Sequence, residues 1–205
     1  MISFQGSLLA ARGEGVLDSP IHRRALAHGA WVDHAPDWLA GADDLLVHLV
    51  AELTWKQRNR PMYGELVDDP RLTVGLDAAD LAAHPPLDRV AATLGERYGF
   101  TFPSCWMNLY RDGHDSVAWH GDRIARDLEE ALVVILSLGE RRPFLLRPKG
   151  GGRSLRFLLG EGDLLVMGGT CQRTWDHCVP KVCAAGARLS VTFRPEGQML
   201  RPDER

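Results

Sequence analysis

The chain has 205 residues, 45% hydrophobic and 25% charged, with a formal net charge of −3. This length suits one domain with a sizeable core, and no apolar run approaches the roughly 18 residues that a membrane-spanning helix needs. The slightly acidic total argues against a uniformly basic nucleic-acid-binding coat. The opening MISFQGSLLAARGEG lacks the basic start and long apolar stretch of a secretory signal, so we expect a cytoplasmic protein.

The first hundred residues predict an N-terminal extension followed by two helices. Residues 1–40 mix Gly, Pro, His and Trp without sustained period, which indicates an irregular extension with at most one short strand. Apolar residues then recur at helical spacing in two segments: Leu45, Leu46, Leu49, Val50 and Leu53, and Leu87, Val90, Ala91, Leu94 and Tyr98. Asp43 and Asp44 open the first helix, and Gly99 ends the second.

Residues 101–195 are typical of a β-rich core. Six short runs rich in aliphatic and β-branched residues are separated by Gly, Pro and Asp: SCWMNLY, ALVVILSLG, PFLLRP, SLRFLL, DLLVMGG and RLSVTFR. Many short strands indicate a sandwich or barrel rather than a doubly wound parallel sheet. We therefore predict a single α+β domain over residues 1–205, with a double-stranded β-helix (jelly-roll) core at 101–195 buttressed by the two helices in 41–100.

Two segments are basic and contain no acid. Residues 141–156 carry six basic side chains, with GGG at 150–152 as a predicted hairpin tip, and residues 55–63 carry three. Each is either a solvated loop or a contact for a polyanion.

The motifs WHGDR at 119–123 and WDH at 175–177 predict a metal centre. His120 and Asp122 are two apart, so on a strand they point to the same side. His177, from a distant strand, would complete a set of two imidazoles and one carboxylate that leaves three adjacent positions of iron(II) open. Two of those positions suit a bidentate co-substrate, and the third suits dioxygen.

Arg188 and Arg194 in RLSVTFR lie six apart on a late strand and share one side of it. An arginine that points into a barrel is costly unless it meets an anion, and its planar fork matches a carboxylate in a way that lysine does not. The pair therefore predicts a bound anion, and a dicarboxylate co-substrate would need such a fixed positive fork.

In this order, seven motifs resemble those of the AlkB family of nucleic-acid repair dioxygenases. They are N-x-Y at 108–110, D-G at 112–113, H-x-D at 120–122, S-L-G at 137–139, GDLLVMGG at 162–169, W-x-H-x-V-P at 175–180 and the R-x5-R that ends at Arg194. The resemblance covers roughly residues 55 to 195. Seven ordered motifs are far more specific than any one alone.

The resemblance implies an Fe(II)/2-oxoglutarate-dependent dioxygenase that uses O2 and oxidatively demethylates alkylated bases in DNA or RNA, with release of succinate, CO2 and formaldehyde. His120, Asp122 and His177 would be the catalytic metal ligands. Arg188 would pair with the distal carboxylate of 2-oxoglutarate, and Arg194 would lie near its C1 carboxylate and brace the metal site. Asn108 and Tyr110 would hydrogen-bond the co-substrate from the wall opposite the arginines. The implied partner is alkylated nucleic acid, with DNA favoured over RNA. We expect a monomer that does not bind a membrane.

In that family a segment before the core covers the extruded base, and residues 55–75 are the candidate lid here. A base taken from its stack needs aromatic faces and cationic contacts to phosphate. The candidate stacking residues are Trp55 and Tyr63, and the candidate phosphate contacts are Lys56, Arg58 and Arg60. Tyr63 and Trp55 are alternatively core residues. Many members of the family carry an acid two residues after the metal carboxylate; this chain has Ile124, which leaves its base preference open.

Three other interpretations remain. The same iron site suits a hydroxylase or demethylase of a protein or small molecule. Cys171, Cys178, Cys183 and His177 would make a zinc-binding structural module, although their spacing departs from paired C-x2-4-C knuckles. His114, six residues before His120, would make a three-histidine site, but D-G-H-D reads as an exposed turn.

Overall fold

A computed structural model describes residues 15–16, 19–62, 65–122 and 128–198. The strands form two main antiparallel sheets. The strands are β1 (Gly15–Val16), β2 (His22–Ala25), β3 (Ala30–Ala35), β4 (Leu39–Ala40), β5 (Lys56–Met62), β6 (Glu65–Leu76), β7 (Cys105–Tyr110), β8 (Val117–His120), β9 (Val133–Gly139), β10 (Arg142–Pro148), β11 (Leu155–Leu159), β12 (Asp163–Gly169), β13 (Trp175–Val179) and β14 (Arg188–Phe193).

The larger sheet has eight strands in the order β2-β3-β12-β9-β14-β7-β6-β5, and the smaller has four in the order β11-β10-β13-β8. The short β1 and β4 pair separately. Strands far apart in sequence are thus neighbours: β14 lies between β9 and β7 in the large sheet, and β13 lies between β10 and β8 in the small one. The fold is mixed α/β with antiparallel sheets, and all six predicted runs from 102 onward contain strands.

Helices lie at both predicted segments. Helix α1 (Ala42–Glu52) follows Gly41, and α3 (Pro85–Tyr98) ends at Gly99, whose φ of 73° is the left-handed conformation that glycine tolerates. A short helix that the pattern did not predict, α2 (Ala78–Ala82), begins with a capping box made by Asp77 and Asp80. The chain also has a 3-10 turn, Ala27–Gly29, and a four-residue helix α4 (Cys171–Thr174). Among the described residues, every helix is too short or too polar to traverse a lipid bilayer.

The central strands are buried on both faces because alternate residues serve two apolar clusters. On β9, Val134, Leu136 and Leu138 pack in the same cluster as the buried faces of α1 and α3, whereas Val133 and Ile135 belong to a second cluster between the sheets. Continuous apolar runs such as VVILSLG follow from this double burial. The cavity described below therefore opens on the face of the large sheet that is turned away from the helices.

The structure corrects the prediction that residues 1–40 are irregular. It also shows that the candidate lid at 55–75 contains two paired strands. Within the supposed irregular extension, β3 pairs with β12 and β2 extends the large sheet to its edge. Strands β5 and β6 form an antiparallel hairpin, and β6 pairs with β7 at the opposite edge of the large sheet. The residues of β2 are exposed throughout. An exposed edge strand has no buried face, so it lacks the alternation of apolar residues by which a strand is recognised in sequence.

Candidate active site

One cavity of about 790 Å³ lies between the two sheets, and strand alternation determines what lines it. On β14, Leu189, Val191 and Phe193 pack toward the helices. The alternate residues point the other way, so Arg188, Ser190 and Thr192 line the cavity. Neighbouring β7 behaves in the same way: Met107 and Leu109 pack toward the helices, and Trp106, Asn108 and Tyr110 line the cavity.

The two proposed histidines and the proposed carboxylate converge at this cavity. His120 is the last residue of β8, Asp122 follows it, and His177 on β13 lies directly opposite His120 in the sheet. The Nε2 atoms of His120 and His177 are 3.6 Å and 3.7 Å from Asp122 Oδ1. One possible ligand atom from each of the three residues lies within 4.8 Å of the others. Among the described residues, these three side chains form the cluster that could hold a metal ion. Such a donor set fits iron(II) with open positions.

Local contacts prepare the two imidazoles for metal binding. His120 Nδ1 is 2.8 Å from the carbonyl oxygen of Ala118, which only accepts hydrogen bonds, so Nδ1 carries the proton and Nε2 is free to coordinate. The His177 ring stacks on Phe144 at 5.3 Å between centroids. Burial lowers the pKa of His177 to about 3, so its imidazole is neutral at physiological pH.

Asp122 is held as a carboxylate by its neighbours. Burial alone would raise its pKa, but the positive charge of Arg194 and its hydrogen bond outweigh that effect and bring the pKa well below its usual value. Arg194 Nη2 donates a hydrogen bond of 2.6 Å to Asp122 Oδ2. Gln172 Oε1 accepts one of 3.0 Å from the backbone nitrogen of Asp122. Both contacts fix the carboxylate on which the metal would depend.

Arg188 supplies a buried cation at one end of the cavity. Its side chain is almost fully buried, Nε donates to Leu159 O at 3.0 Å, and Nη2 donates to Ser137 Oγ at 2.6 Å. Nη1 is buried without a hydrogen-bond partner among the described residues. Burial lowers the pKa of this guanidinium to about 10. A buried guanidinium bonded to neutral oxygens and with one nitrogen unsatisfied fits a carboxylate such as the distal one of 2-oxoglutarate.

Asn108 and Tyr110 lie on the same wall as Arg188, not on the opposite wall that the resemblance implied, because β7 pairs with β14 in the large sheet. Tyr110 is opposite Arg188 in the sheet, and its ring centroid is 5.4 Å from the guanidinium carbon. Burial raises the pKa of Tyr110, so its hydroxyl keeps its proton and can donate a hydrogen bond. Asn108 Oδ1 accepts a hydrogen bond of 3.0 Å from Arg71 Nε. Arg71 thus orients Asn108, a contact that nothing in the sequence pattern indicates.

The predicted lid residues separate into two groups. Lys56 and Arg58 line the cavity. Trp55 does not: it is partly buried against the core beneath the helices, which favours the core interpretation for that residue. Arg60 lies on β5 opposite Val67 in the sheet. Tyr63 and Ile124 lie outside the described residues.

Trp106 lines the cavity and was not predicted as a site residue. The signal was present, because Trp106 precedes Asn108 by two residues on one strand and therefore shares its face.

The rival metal sites are not assembled. Cys171 and Cys178 are buried, Cys183 is exposed, and none belongs to the cluster of metal-ligating side chains in the described part of the chain. His114 has 82% of its side chain exposed and pairs with Asp112 within the turn. The structure therefore favours neither the zinc module nor the three-histidine site.

Comparison with known proteins agrees with this geometry. The profile of the 2OG-Fe(II) oxygenase superfamily matches residues 41–194. The human alpha-ketoglutarate-dependent dioxygenase alkB homolog 3 is 31% identical over 174 residues, covering 75% of this chain and 61% of that protein. The DNA oxidative demethylase ALKBH2 of Arabidopsis thaliana is 31% identical over 189 residues, covering 72% and 60%. The chain thus spans about three fifths of the length of these relatives.

Solved structures share the fold at lower identity. OsALKBH1 superposes with a TM-score of 0.58 at 15% identity, covering 86% of this chain and 100% of that one. A prolyl hydroxylase from Trichoplax adhaerens superposes with a TM-score of 0.56 at 12% identity, covering 76% and 77%. The match to the oxygenase profile places the chain in the 2OG-Fe(II) oxygenase superfamily, and the relatives to which it is similar include an alkB homolog and a DNA oxidative demethylase.

Proposed function

We propose that this protein is an Fe(II)/2-oxoglutarate-dependent dioxygenase that removes methyl groups from alkylated bases in DNA or RNA, releasing succinate, CO2 and formaldehyde. The observation that carries the proposal is the meeting, in one cavity, of the His120–Asp122–His177 cluster with the incompletely bonded guanidinium of Arg188. The superfamily implies Fe(II), 2-oxoglutarate and O2, and these residues fit the metal and the dicarboxylate. The relatives' names, a dioxygenase and a DNA oxidative demethylase, support nucleic acid as the substrate.

Each residue has a separate task in this proposal. His120, Asp122 and His177 hold Fe(II), which together with 2-oxoglutarate and O2 supplies the oxidising chemistry that converts an N-methyl group to a labile hydroxymethyl group. Arg188 binds the distal carboxylate of the co-substrate, and Asn108 and Tyr110 contact it from the same wall. Arg194 orients Asp122 through their hydrogen bond.

Lys56 and Arg58 are the proposed phosphate contacts, because both line the cavity from the β5–β6 hairpin. The basic loop between β10 and β11 is a second proposed contact, since Arg153 at its tip is exposed. The segment 55–75 acts as the lid over an extruded base. We also propose that the two sheets form the double-stranded β-helix of this family, buttressed by α1 and α3 within one domain, and that the protein is a cytoplasmic monomer.

The test is a panel of oligonucleotides that each carry one methylated base, in DNA and RNA and in single- and double-stranded form. Each is incubated with Fe(II), 2-oxoglutarate and ascorbate. Loss of the methyl group is followed by mass, and succinate and formaldehyde are measured in the same reactions. We expect the methyl loss to equal the formaldehyde formed, and His177→Ala to abolish both.

Succinate formation without formaldehyde from every oligonucleotide would overturn the demethylase proposal and turn the search to a protein or small-molecule substrate. The absence of succinate under all conditions would overturn the dioxygenase activity itself.

A further inference from the structure

The metal ligand Asp122 lies beyond the end of the strand that carries His120. Strand β8 ends at His120, so Asp122 is outside the ladder of backbone hydrogen bonds that holds His120 beside His177. Its backbone nitrogen instead donates to Gln172 Oε1 at 3.0 Å, and its carboxylate accepts a hydrogen bond from Arg194. The position of this ligand therefore depends on side chains that other elements supply.

Gln172 is buried in the segment that leads into β13. It is 3% exposed and lies in α4, which is followed directly by β13, the strand that carries His177. A backbone N–H can only donate, so the side-chain atom that faces Asp122 is the amide oxygen. The amide nitrogen lies 3.8 Å from the sulfur of Met167, a weak acceptor. The strong hydrogen bond of this amide thus joins Asp122 to the segment that positions His177.

Lys149 holds α4 from the other side. It follows the last residue of β10 and is the first residue of the basic loop. Its backbone nitrogen donates to Thr174 O at 2.9 Å, and its Nζ donates to Gln172 O at 3.0 Å. In a four-residue helix nearly all carbonyls lack an intrahelical partner, so the lysine satisfies an oxygen that the helix leaves free. Although Lys149 is exposed, its ammonium is bonded to the segment that holds Asp122.

The residue between His120 and Asp122 fits closely against this pair of side chains. A Cβ atom built on Gly121 would lie 2.8 Å from Gln172 O, and 3.2 Å and 3.3 Å from Nζ and Cε of Lys149. The shortest of these contacts is with a backbone oxygen, which cannot turn aside as the end of a side chain can. Glycine thus lets the backbone between the two ligands rest directly on α4.

We propose that Gln172 and Lys149 are positioning residues of the metal centre. Together they fix Asp122, through the close contact at Gly121, to the segment that carries His177. Lys149 then serves the metal centre and not the polymer contact that the charge of its loop suggests. Side chains that orient metal ligands change metal affinity without touching the metal. The inference rests on the metal centre of the proposed function and deepens it, but it does not depend on which substrate is oxidised.

The arginines of the same loop and of the following strand differ from Lys149. Arg153 and Arg156 are exposed. Among the described residues, neither guanidinium makes a hydrogen bond with α4 or with the backbone at Gly121, whereas Lys149 does bond to α4. The lysine and the arginines should therefore affect different measurements.

The experiment measures two quantities in each variant. The first is the affinity for Mn(II), by titration calorimetry. The second is the slope of log affinity for a single-stranded oligonucleotide against log salt, by fluorescence anisotropy of the metal-free protein. We expect Lys149→Met, which keeps an aliphatic stem without the donor, to weaken Mn(II) binding several-fold and to leave the salt slope unchanged. Arg153→Gln is the matched control: it should lower the slope by about 1 and leave Mn(II) affinity unchanged.

The direction of the effect separates positioning from simple electrostatics. Loss of a positive charge near the site would by itself strengthen the binding of a cation. Weaker Mn(II) binding in Lys149→Met therefore reports the loss of positioning, and Lys149→Arg, which keeps a donor, should recover most of the affinity.

Two further variants act on the same contacts. Gln172→Met is nearly isosteric but lacks the strong acceptor, so Mn(II) affinity should fall roughly 10- to 100-fold. The visible absorption of Co(II) in the site, which reports the geometry of the ligands, should also change. Gly121→Ala pushes the backbone away from α4 and should have the same two effects. The Tm of each metal-free variant shows whether the fold is retained, and Lys149→Met, at an exposed position, should keep the wild-type Tm.

The outcomes distinguish this inference from the proposed function. If wild type does not bind Mn(II), the metal centre fails and the proposed function fails with it. If wild type binds Mn(II) but demethylates no oligonucleotide, the substrate is wrong and the positioning role stands. If Lys149→Met and Gln172→Met keep the wild-type Mn(II) affinity and Co(II) spectrum, the positioning role is wrong. A salt slope that falls in Lys149→Met as it does in Arg153→Gln would assign the lysine to the polymer and overturn its place in the metal centre.

Discussion

Replacing Arg188 by methionine separates its role in binding from its role in folding. Arg188 is 1% exposed, and burial lowers the pKa of its guanidinium to about 10, a penalty on the order of 3 kcal/mol for keeping the charge in the folded protein. Against this, methionine leaves the oxygen of Leu159 and the hydroxyl of Ser137 without a donor, at about 1–3 kcal/mol. The two effects nearly cancel. We expect the free energy of unfolding of metal-free Arg188→Met to lie within about 2 kcal/mol of the wild-type value.

Binding of 2-oxoglutarate should respond quite differently. At a concentration 100 times its Kd, a ligand stabilises a protein by about 2.7 kcal/mol, which for a chain of this size is about 5–10 °C in Tm. Loss of a buried charged partner costs about 2–5 kcal/mol, so affinity should fall at least about 30-fold. The assay is thermal unfolding with Mn(II) in place of iron, with and without 2-oxoglutarate. The Tm shift should nearly vanish in Arg188→Met.

Arg142 is the matched control, since it too is a fully buried arginine. Its guanidinium donates to three backbone oxygens, those of Asp112, Asp115 and Pro180, at 2.7–3.0 Å. Arg142→Met should therefore lower the Tm of the metal-free protein by several degrees and retain the shift with 2-oxoglutarate. A full ligand-induced shift in Arg188→Met, or a loss of stability as large as that of Arg142→Met, would refute the assignment of Arg188 as the carboxylate site.

Three further predictions concern pH, the metal and the polymer. Burial lowers the pKa of His177 to about 3, so below pH 6.5 the unfolded chain takes up a proton that the folded chain does not. The free energy of unfolding of the metal-free protein, measured by urea unfolding, should therefore fall by roughly 2 kcal/mol between pH 6.5 and 5. In His177→Gln the fall should be much smaller. Arg194→Gln removes the hydrogen bond to Asp122 and should weaken Mn(II) binding about 10- to 100-fold by titration calorimetry. Arg153→Gln with Arg156→Gln should reduce the slope of log affinity for an oligonucleotide against log salt by about 1–2, measured by fluorescence anisotropy.

Each of these has a contrary result. An equal loss of stability at low pH in His177→Gln would assign the effect to other groups. Unchanged Mn(II) affinity in Arg194→Gln would mean that Asp122 is oriented without its arginine. An unchanged salt slope would place the basic loop away from the bound polymer.

The strands of the central core and the pairing of His120 with Asp122 were predictable from the sequence because their signals are local. Runs such as VVILSLG are apolar throughout since both faces of β9 are buried, and His120 and Asp122 are brought together by two-residue spacing. The pairing of His177 with His120 was inferred only from the types of residue that iron requires. The cross-strand contact itself depends on β13 lying beside β8.

Other features were decided by tertiary structure alone. The strands β2 and β5 lie at the sheet edges, where exposure removes the apolar alternation that predicts a strand. Trp55 and Trp106 are both tryptophans near polar residues, yet one packs against the core and the other lines the cavity. The difference arises because the elements that pack against a sheet decide which of its faces meets the helices. The other face is then left for a ligand.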